Sequence, residues 1–280
     1  MQSDSLFAAL GAVLSFVLNL FFALYFLAGV YVYISLIRQI TARTSSKAFG
    51  AGGPERAFGL PEAIVAALLI SYLLVSVSAS ASRPSIQLNP RNLLANLLFT
   101  VAVVLFIVTF LQLRGFDLSS LGGLFKISFL RALSTGIVLL LAAYPLISLA
   151  NAITQSLFGS GSSKQSIVEM FSESRTIEQR IMIIVFAVAI APVVEEFLFR
   201  FFLYGVFRRY LGRFLGITLS AVLFAAAHTH LPSFVPLFVL GSCFAIAYEW
   251  SGSILVAMTM HSLFNSVTLI VLAFPEIFRP

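Results

Sequence analysis

The side chains best placed to do chemistry are charged groups in a stretch where charge is costly. Glu195, Glu196 and Arg200 lie in APVVEEFLFRFFLYGVF, which carries no other charge before Arg208. Insertion scales assign about 2.5–3.5 kcal/mol to an Asp, Lys or Arg at the centre of a membrane helix. Helical spacing accounts for part of the set: Glu196 and Arg200 are four residues apart with the acid first, the favourable order for an ion pair along one face. Glu195 is turned by about 100° from Glu196, and its neighbour one turn on is Phe199. It therefore has no local counter-charge.

Two more polar groups stand on later apolar stretches. LFAAAH sets Phe224 and His228 four apart near a helix end, and MHSLFN sets His261 and Asn265 four apart near the middle of another helix. Four residues on a helix share a face, so Glu195, His228, His261 and Asn265 can project into one polar cavity between three helices. Pro192, just before the glutamates, loosens the backbone there and could let water or substrate reach their depth. Each piece has a plainer reading. An intramembrane Glu/Arg pair serves equally as structural glue, and a helix-end histidine as an interfacial group. His230 reads as interfacial, and Glu249 beside Trp250 as a membrane-surface charge with an aromatic anchor. The combination argues for chemistry: of only three histidines in 280 residues, two fall at this spacing on spans that follow the buried pair of glutamates.

The elements that must position these groups follow from composition. The chain is 60 % hydrophobic and 10 % charged, with a mean hydropathy of +1.02. Residues 5–37, 63–82, 92–113 and 132–163 carry no charge at all, and each interval can span a bilayer, which takes about 20 apolar residues. Charge gaps and breakers give eight spans, roughly 6–37, 60–80, 92–113, 129–158, 181–207, 212–228, 234–249 and 252–274. All are expected to be helical, because a chain in lipid must satisfy its own backbone hydrogen bonds. The fold class is thus an all-α, polytopic membrane bundle of about eight transmembrane helices, an integral multi-pass protein whose first partner is the lipid bilayer. Connectors run from Arg38 to Pro61 and from Gly159 to Arg180, the second beginning as a Gly/Ser linker.

The net charge of +6 does not point to nucleic acid, since no folded polar surface carries the basic residues; they fall between spans, where they set topology. The loops after spans one, three and five hold ten Lys and Arg and the opposite side six, which puts both termini outside and the 208–213 loop in the cytoplasm. The single cysteine, Cys243, excludes an internal disulfide and a CxxC site.

EEFLFR, FAAAH and HSLFN, in that order on apolar helices, resemble the three motifs of the CPBP intramembrane proteases, the family of type II CAAX prenyl endopeptidases and of bacteriocin-processing relatives. The resemblance covers about residues 181–270, read as the catalytic core; residues 1–180 form motif-free transmembrane helices and 271–280 a short tail. It implies that Glu195 activates water, that Glu196 and Arg200 organise it, that His228 supplies the second-motif histidine, and that His261 and Asn265 bind the oxyanion or orient substrate. The implied substrate is a membrane-associated peptide or protein, prenylated or a leader or membrane peptide. HExxH is absent, but Glu195, His228 and His261 could supply three ligands for a zinc ion with a position left for water; a metal-free glutamate mechanism stands beside that reading. A non-proteolytic membrane scaffold or immunity protein and a proton-coupled transporter are the alternatives.

Overall fold

The computed structural model describes residues 2–47, 58–81, 90–117, 122–159, 170–172, 174, 176–274 and 276. The middle of the first connector, most of the Gly/Ser linker and the last residues of the tail lie outside these. Among the described residues there is no strand. The helices are α1 (Gln2–Lys47), α2 (Leu60–Ala81), α3 (Pro90–Leu113), α4 (Phe129–Phe158), α5 (Ile177–Val185), α6 (Ala191–Glu196), α7 (Tyr204–Ala227), α8 (Phe234–Ser251) and α9 (Ile254–Ala273). Two π-helical segments, Phe186–Ile190 and Phe197–Leu203, join α5 to α6 and α6 to α7 without a break.

Seven stretches of the described residues are long and apolar enough to cross a membrane, against eight expected spans. The difference lies in Ile177–Ala227, a run of 51 residues that the sequence divides at 207–212. It does turn there. Gly212 has φ 81° and ψ 174°, a region that essentially only glycine occupies, and the chain doubles back on itself. Ser220 Oγ donates to Phe199 O at 2.7 Å, and the Phe199 and Phe224 rings meet edge to face at 5.5 Å. The glutamate-bearing leg and the histidine-bearing leg are therefore antiparallel neighbours, which brings Glu195 and His228 to one level.

α1 is longer than its charge-free interval, because Arg38 to Lys47 continue the same helix. It crosses α4 at a proline. Pro145 has no N–H for Leu141 O, one turn back in an α-helix, and that carbonyl accepts the Tyr25 hydroxyl of α1 at 2.5 Å. Gly29, one turn past Tyr25, lets the helices touch: a Cβ there would press on Ala142 O and lie 3.1 Å from Pro145 Cγ. α4 in turn seats α9, where Thr259 Oγ1 donates to Ala132 O at 3.1 Å.

At the hairpin end of the bundle Glu249 departs from its surface reading. Its side chain is only 6 % exposed and collects Arg213 Nε at 2.7 Å, Arg208 Nη1 at 2.9 Å and the Tyr204 hydroxyl at 2.7 Å. The two arginines come from either side of Gly212, so this buried acid clamps the turn to the C-terminus of α8. Arg43 donates to Trp250 O at 2.7 Å and Trp250 Nε1 to Gln39 Oε1 at 3.0 Å, tying α1 to the same end, the one that the charge count assigns to the cytoplasm.

Replacing Gly212 by alanine should lower stability by about 1–3 kcal/mol, the range for a residue held in a sparsely populated backbone region. No atom lies within 4 Å of the added methyl, so the fall of the thermal midpoint in detergent reads backbone conformation alone. An unchanged midpoint would mean that the turn does not need glycine.

Candidate active site

The helix that carries the glutamates is irregular on both sides of α6, with a π segment before and after it. Such bulges insert a residue into the helical register and frequently occur at functional sites. Here they flank a short α-helical piece from which both adjacent carboxylates reach the same histidine of α9.

His261 lies between them. Its Nδ1 is 2.8 Å from Glu196 Oε1 and its Nε2 is 4.0 Å from Glu195 Oε2. A carboxylate can only accept, so Nδ1 carries the hydrogen and Nε2 faces Glu195, as a lone pair in the neutral ring and as N–H in the cation. The ring is 3 % exposed and stacks on Phe244 at 5.1 Å between centroids. His228 caps the end of α7. Its Nδ1 is 2.8 Å from Phe224 O, an acceptor, so Nδ1 again holds the hydrogen and Nε2 is left facing Glu195 Oε2 at 4.0 Å. The same FxxxH spacing that puts Phe224 and His228 on one face thus selects the tautomer of His228.

Glu196 and Arg200 are both fully buried, with Arg200 Nη1 3.1 Å from Glu196 Oε1. The guanidinium lies over the Phe224 ring at 4.1 Å, a favourable cation–π placement, and Nη2 donates to Gly241 O at 3.4 Å. A Cβ at Gly241 would stand 3.0 Å from the Phe224 ring and 3.3 Å from Nη2, so that position keeps room for the arginine. Glu195 Oε2, Glu196 Oε2, Arg200 Nε and Arg200 Nη1 are buried without a hydrogen-bond partner.

Three of the four residues expected in one polar cavity meet at Glu195. Asn265 does not: its Nδ2 donates to Ala187 O at 2.7 Å, on the π segment ahead of α6. His230 points elsewhere as well, with Nδ1 2.7 Å from Ser233 Oγ.

A cavity of about 200 Å³ opens beside the carboxylate, lined by Glu195, His228, Leu198, Phe199 and Ala227 together with Leu69 and Leu73 of α2 and Thr100 of α3. Three of the eight lining residues thus come from helices that carry no motif. Sequence reasoning also missed the Glu196–His261 bond and the rings of Phe224 and Phe244 around Arg200. The four-residue spacing of Phe224 and His228 was the only available signal for the first ring, and nothing local marks the others.

The donor set of Glu195 Oε2, His228 Nε2 and His261 Nε2 has the chemistry of a catalytic zinc site, and each histidine has its other nitrogen fixed by a hydrogen bond, as ligating histidines do. The spacing is looser: ligands at about 2.0–2.1 Å from a tetrahedral ion stand about 3.3 Å apart, against 4.0 Å from carboxylate to each imidazole. Among the described residues no group of three or more His, Cys, Asp or Glu side chains has metal-holding geometry.

Residues 177–267 match the family model described as "Type II CAAX prenyl endopeptidase Rce1-like". The match covers less than half of the chain and includes all three motifs. The segment is thus similar to the type II CAAX prenyl endopeptidases, and it lies within an integral, multi-pass membrane protein. No curated protein and no solved structure matches the chain.

The geometry separates the two glutamates by stability. Arg200→Ala leaves Glu196 charged in a dry site, and breaking a buried pair in this way costs about 3–5 kcal/mol. Yield and thermal midpoint in detergent should fall accordingly, while the double change Glu196→Gln with Arg200→Gln should recover part of both. Glu195→Gln orphans no ion-pair partner and should keep the parent's midpoint. The reverse order, a stable Arg200→Ala and an unstable Glu195→Gln, would exchange the structural and reactive assignments.

Proposed function

We propose that the protein is an endopeptidase that hydrolyses a peptide bond in a membrane-associated substrate, with Glu195 as general base toward a water shared with His228 and His261. The observation that carries this reading is the convergence of two imidazole Nε2 atoms on one partnerless carboxylate oxygen. A water about 2.8 Å from Oε2 and from a facing Nε2 would subtend about 90° between atoms 4.0 Å apart, an angle water accepts readily. Glu195 takes a proton as the oxygen attacks the scissile carbonyl, and returns it to the leaving amine when the C–N bond breaks.

His261 then has a distinct part. Glu196 accepts from its Nδ1–H and fixes the ring with Nε2 toward the reacting carbonyl, where an Nε2–H, present in the cationic ring, would donate to the oxyanion. Arg200 compensates the charge of Glu196 and keeps it an acceptor for His261 rather than a second base. A zinc ion held by Glu195, His228 and His261 would add Lewis-acid polarisation and a more acidic water; in either case Glu196 would hold the Nδ1–H of His261 and Arg200 would compensate the charge of Glu196. The leucines and Phe199 that line the cavity suit an apolar segment delivered from the bilayer, as in a prenylated CAAX-type protein or a leader or membrane peptide.

Cleavage of a membrane-peptide substrate by purified protein tests this directly. Glu195→Gln and His261→Ala should each lose at least about a hundredfold in rate, the scale of general acid–base catalysis, and His228→Ala should follow. Full cleavage by Glu195→Gln would remove the assignment. Activity that persists after exhaustive chelation, in protein shown to be metal-free, would decide for the glutamate–water route; one equivalent of zinc that is lost in both histidine variants would decide for the metal.

A further inference from the structure

Ala187 O is a carbonyl that its own helix cannot satisfy. At the end of the π segment Phe186–Ile190 the register is five residues, with Ala191 N–H going to Phe186 O. The next amide in that register would belong to residue 192 and reach Ala187 O. Residue 192 is proline, which has no N–H. A carbonyl left open inside a membrane bundle is costly, and helices at membrane depth tolerate proline where a neighbouring helix supplies the missing donor. α9 supplies it here through Asn265 Nδ2 at 2.7 Å.

Pro145 provides an internal comparison. It sits in regular α-helix, so the carbonyl it leaves open lies four residues back, and Tyr25 of the adjacent α1 donates to that atom, Leu141 O. At Pro192 the satisfied carbonyl lies five residues back. The donor from α9 therefore meets the backbone in its π register, not in an α register.

We propose that Asn265 is a positioning residue: by donating to Ala187 O it holds the π turn in place ahead of Pro192 and thereby fixes where Glu195 meets His228 and His261. Glu195 lies three residues past Pro192, and a change of one residue in helical register turns a side chain by about 100°, enough to take its carboxylate out of reach of both rings. α9 grips the glutamate-bearing helix with two side chains one turn apart on α9, His261 on Glu196 and Asn265 on Ala187, and two points set rotation where one sets only proximity. This gives Asn265 a backbone contact beside the oxyanion contact that the motif resemblance implies, since its amide carries two hydrogens and this bond uses one. The proposal rests on the endopeptidase reading for its kinetic consequence only.

Pro192→Ala restores the missing amide and so offers Ala187 O a second donor. With the full chain in detergent, Asn265→Ala in the Pro192 background should lower the thermal midpoint by a few degrees and cut kcat about tenfold, with KM much less affected. In the Pro192→Ala background the same change should do little to either. Equal losses in both backgrounds, or a fall in kcat with no change of midpoint in either, would overturn the proposal and return Asn265 to the substrate. The midpoint cycle needs no substrate, so a parent protein without peptidase activity would sink the endopeptidase reading and leave this one to be decided by stability. If Pro192→Ala does not fold, Asn265→Leu keeps the approximate shape and removes the donor: its midpoint should fall as far as that of Asn265→Ala, and an unchanged midpoint overturns the proposal.

Discussion

Glu196 is a carboxylate with no access to water that is shared between Arg200, one turn along its own helix, and Nδ1 of His261 on α9. A lone carboxylate at that depth would be neutralised or would unfold the site around it. The arginine allows it to stay charged, and the charge in turn orients the imidazole. Arg200 needs its own burial, which the faces of Phe224 and Phe244 and the carbonyl of Gly241 provide. One ion pair thus draws α7, α8 and α9 onto the glutamate helix. Glu195, the adjacent residue, is free for chemistry because its neighbour carries the structural burden.

Lipid imposes a second constraint that works on the backbone. Proline within a membrane helix leaves a carbonyl that water cannot reach, and at both interior prolines discussed above a side chain of the adjacent helix fills the place: Tyr25 at Leu141 and Asn265 at Ala187. These contacts do more than satisfy a bond. Apolar helices in an apolar solvent have little hydrophobic reason to choose one rotation over another, so a directional hydrogen bond to a single carbonyl is an effective way to specify one. The bundle is held in register by polar contacts that are few and placed where the backbone is irregular.

The motif-free half of the chain has a part in the site. α2 and α3 bring Leu69, Leu73 and Thr100 to the cavity beside Glu195, and their own pairing is anchored by Glu62, which accepts from Gly59 N at 2.7 Å and from Arg114 Nε at 3.1 Å. The reactive groups are supplied by one half of the molecule and much of the wall next to them by the other. Such a wall can vary in shape while the cluster behind it stays the same.

What the sequence determined by itself was everything settled within about one helical turn or by bulk composition. Sixty per cent hydrophobic residues with long charge-free intervals leave only helices in a membrane, the charged loop at 208–213 separates two spans, and the spacing of four pairs Glu196 with Arg200 and leaves Glu195 without a local partner. Periodicity could also place His228 with Phe224, and His261 with Asn265, on common faces. It could not tell that His261 would sit between both carboxylates, that Asn265 would serve a carbonyl 78 residues away, or that Glu249 would be the buried hub of two arginines. Those outcomes depend on the rotation and depth of one helix against another. Side chains facing lipid and side chains facing a neighbouring helix are equally apolar here, so hydrophobic pattern does not encode that rotation; only the packed bundle, through π turns, prolines and a handful of directional bonds, decides it.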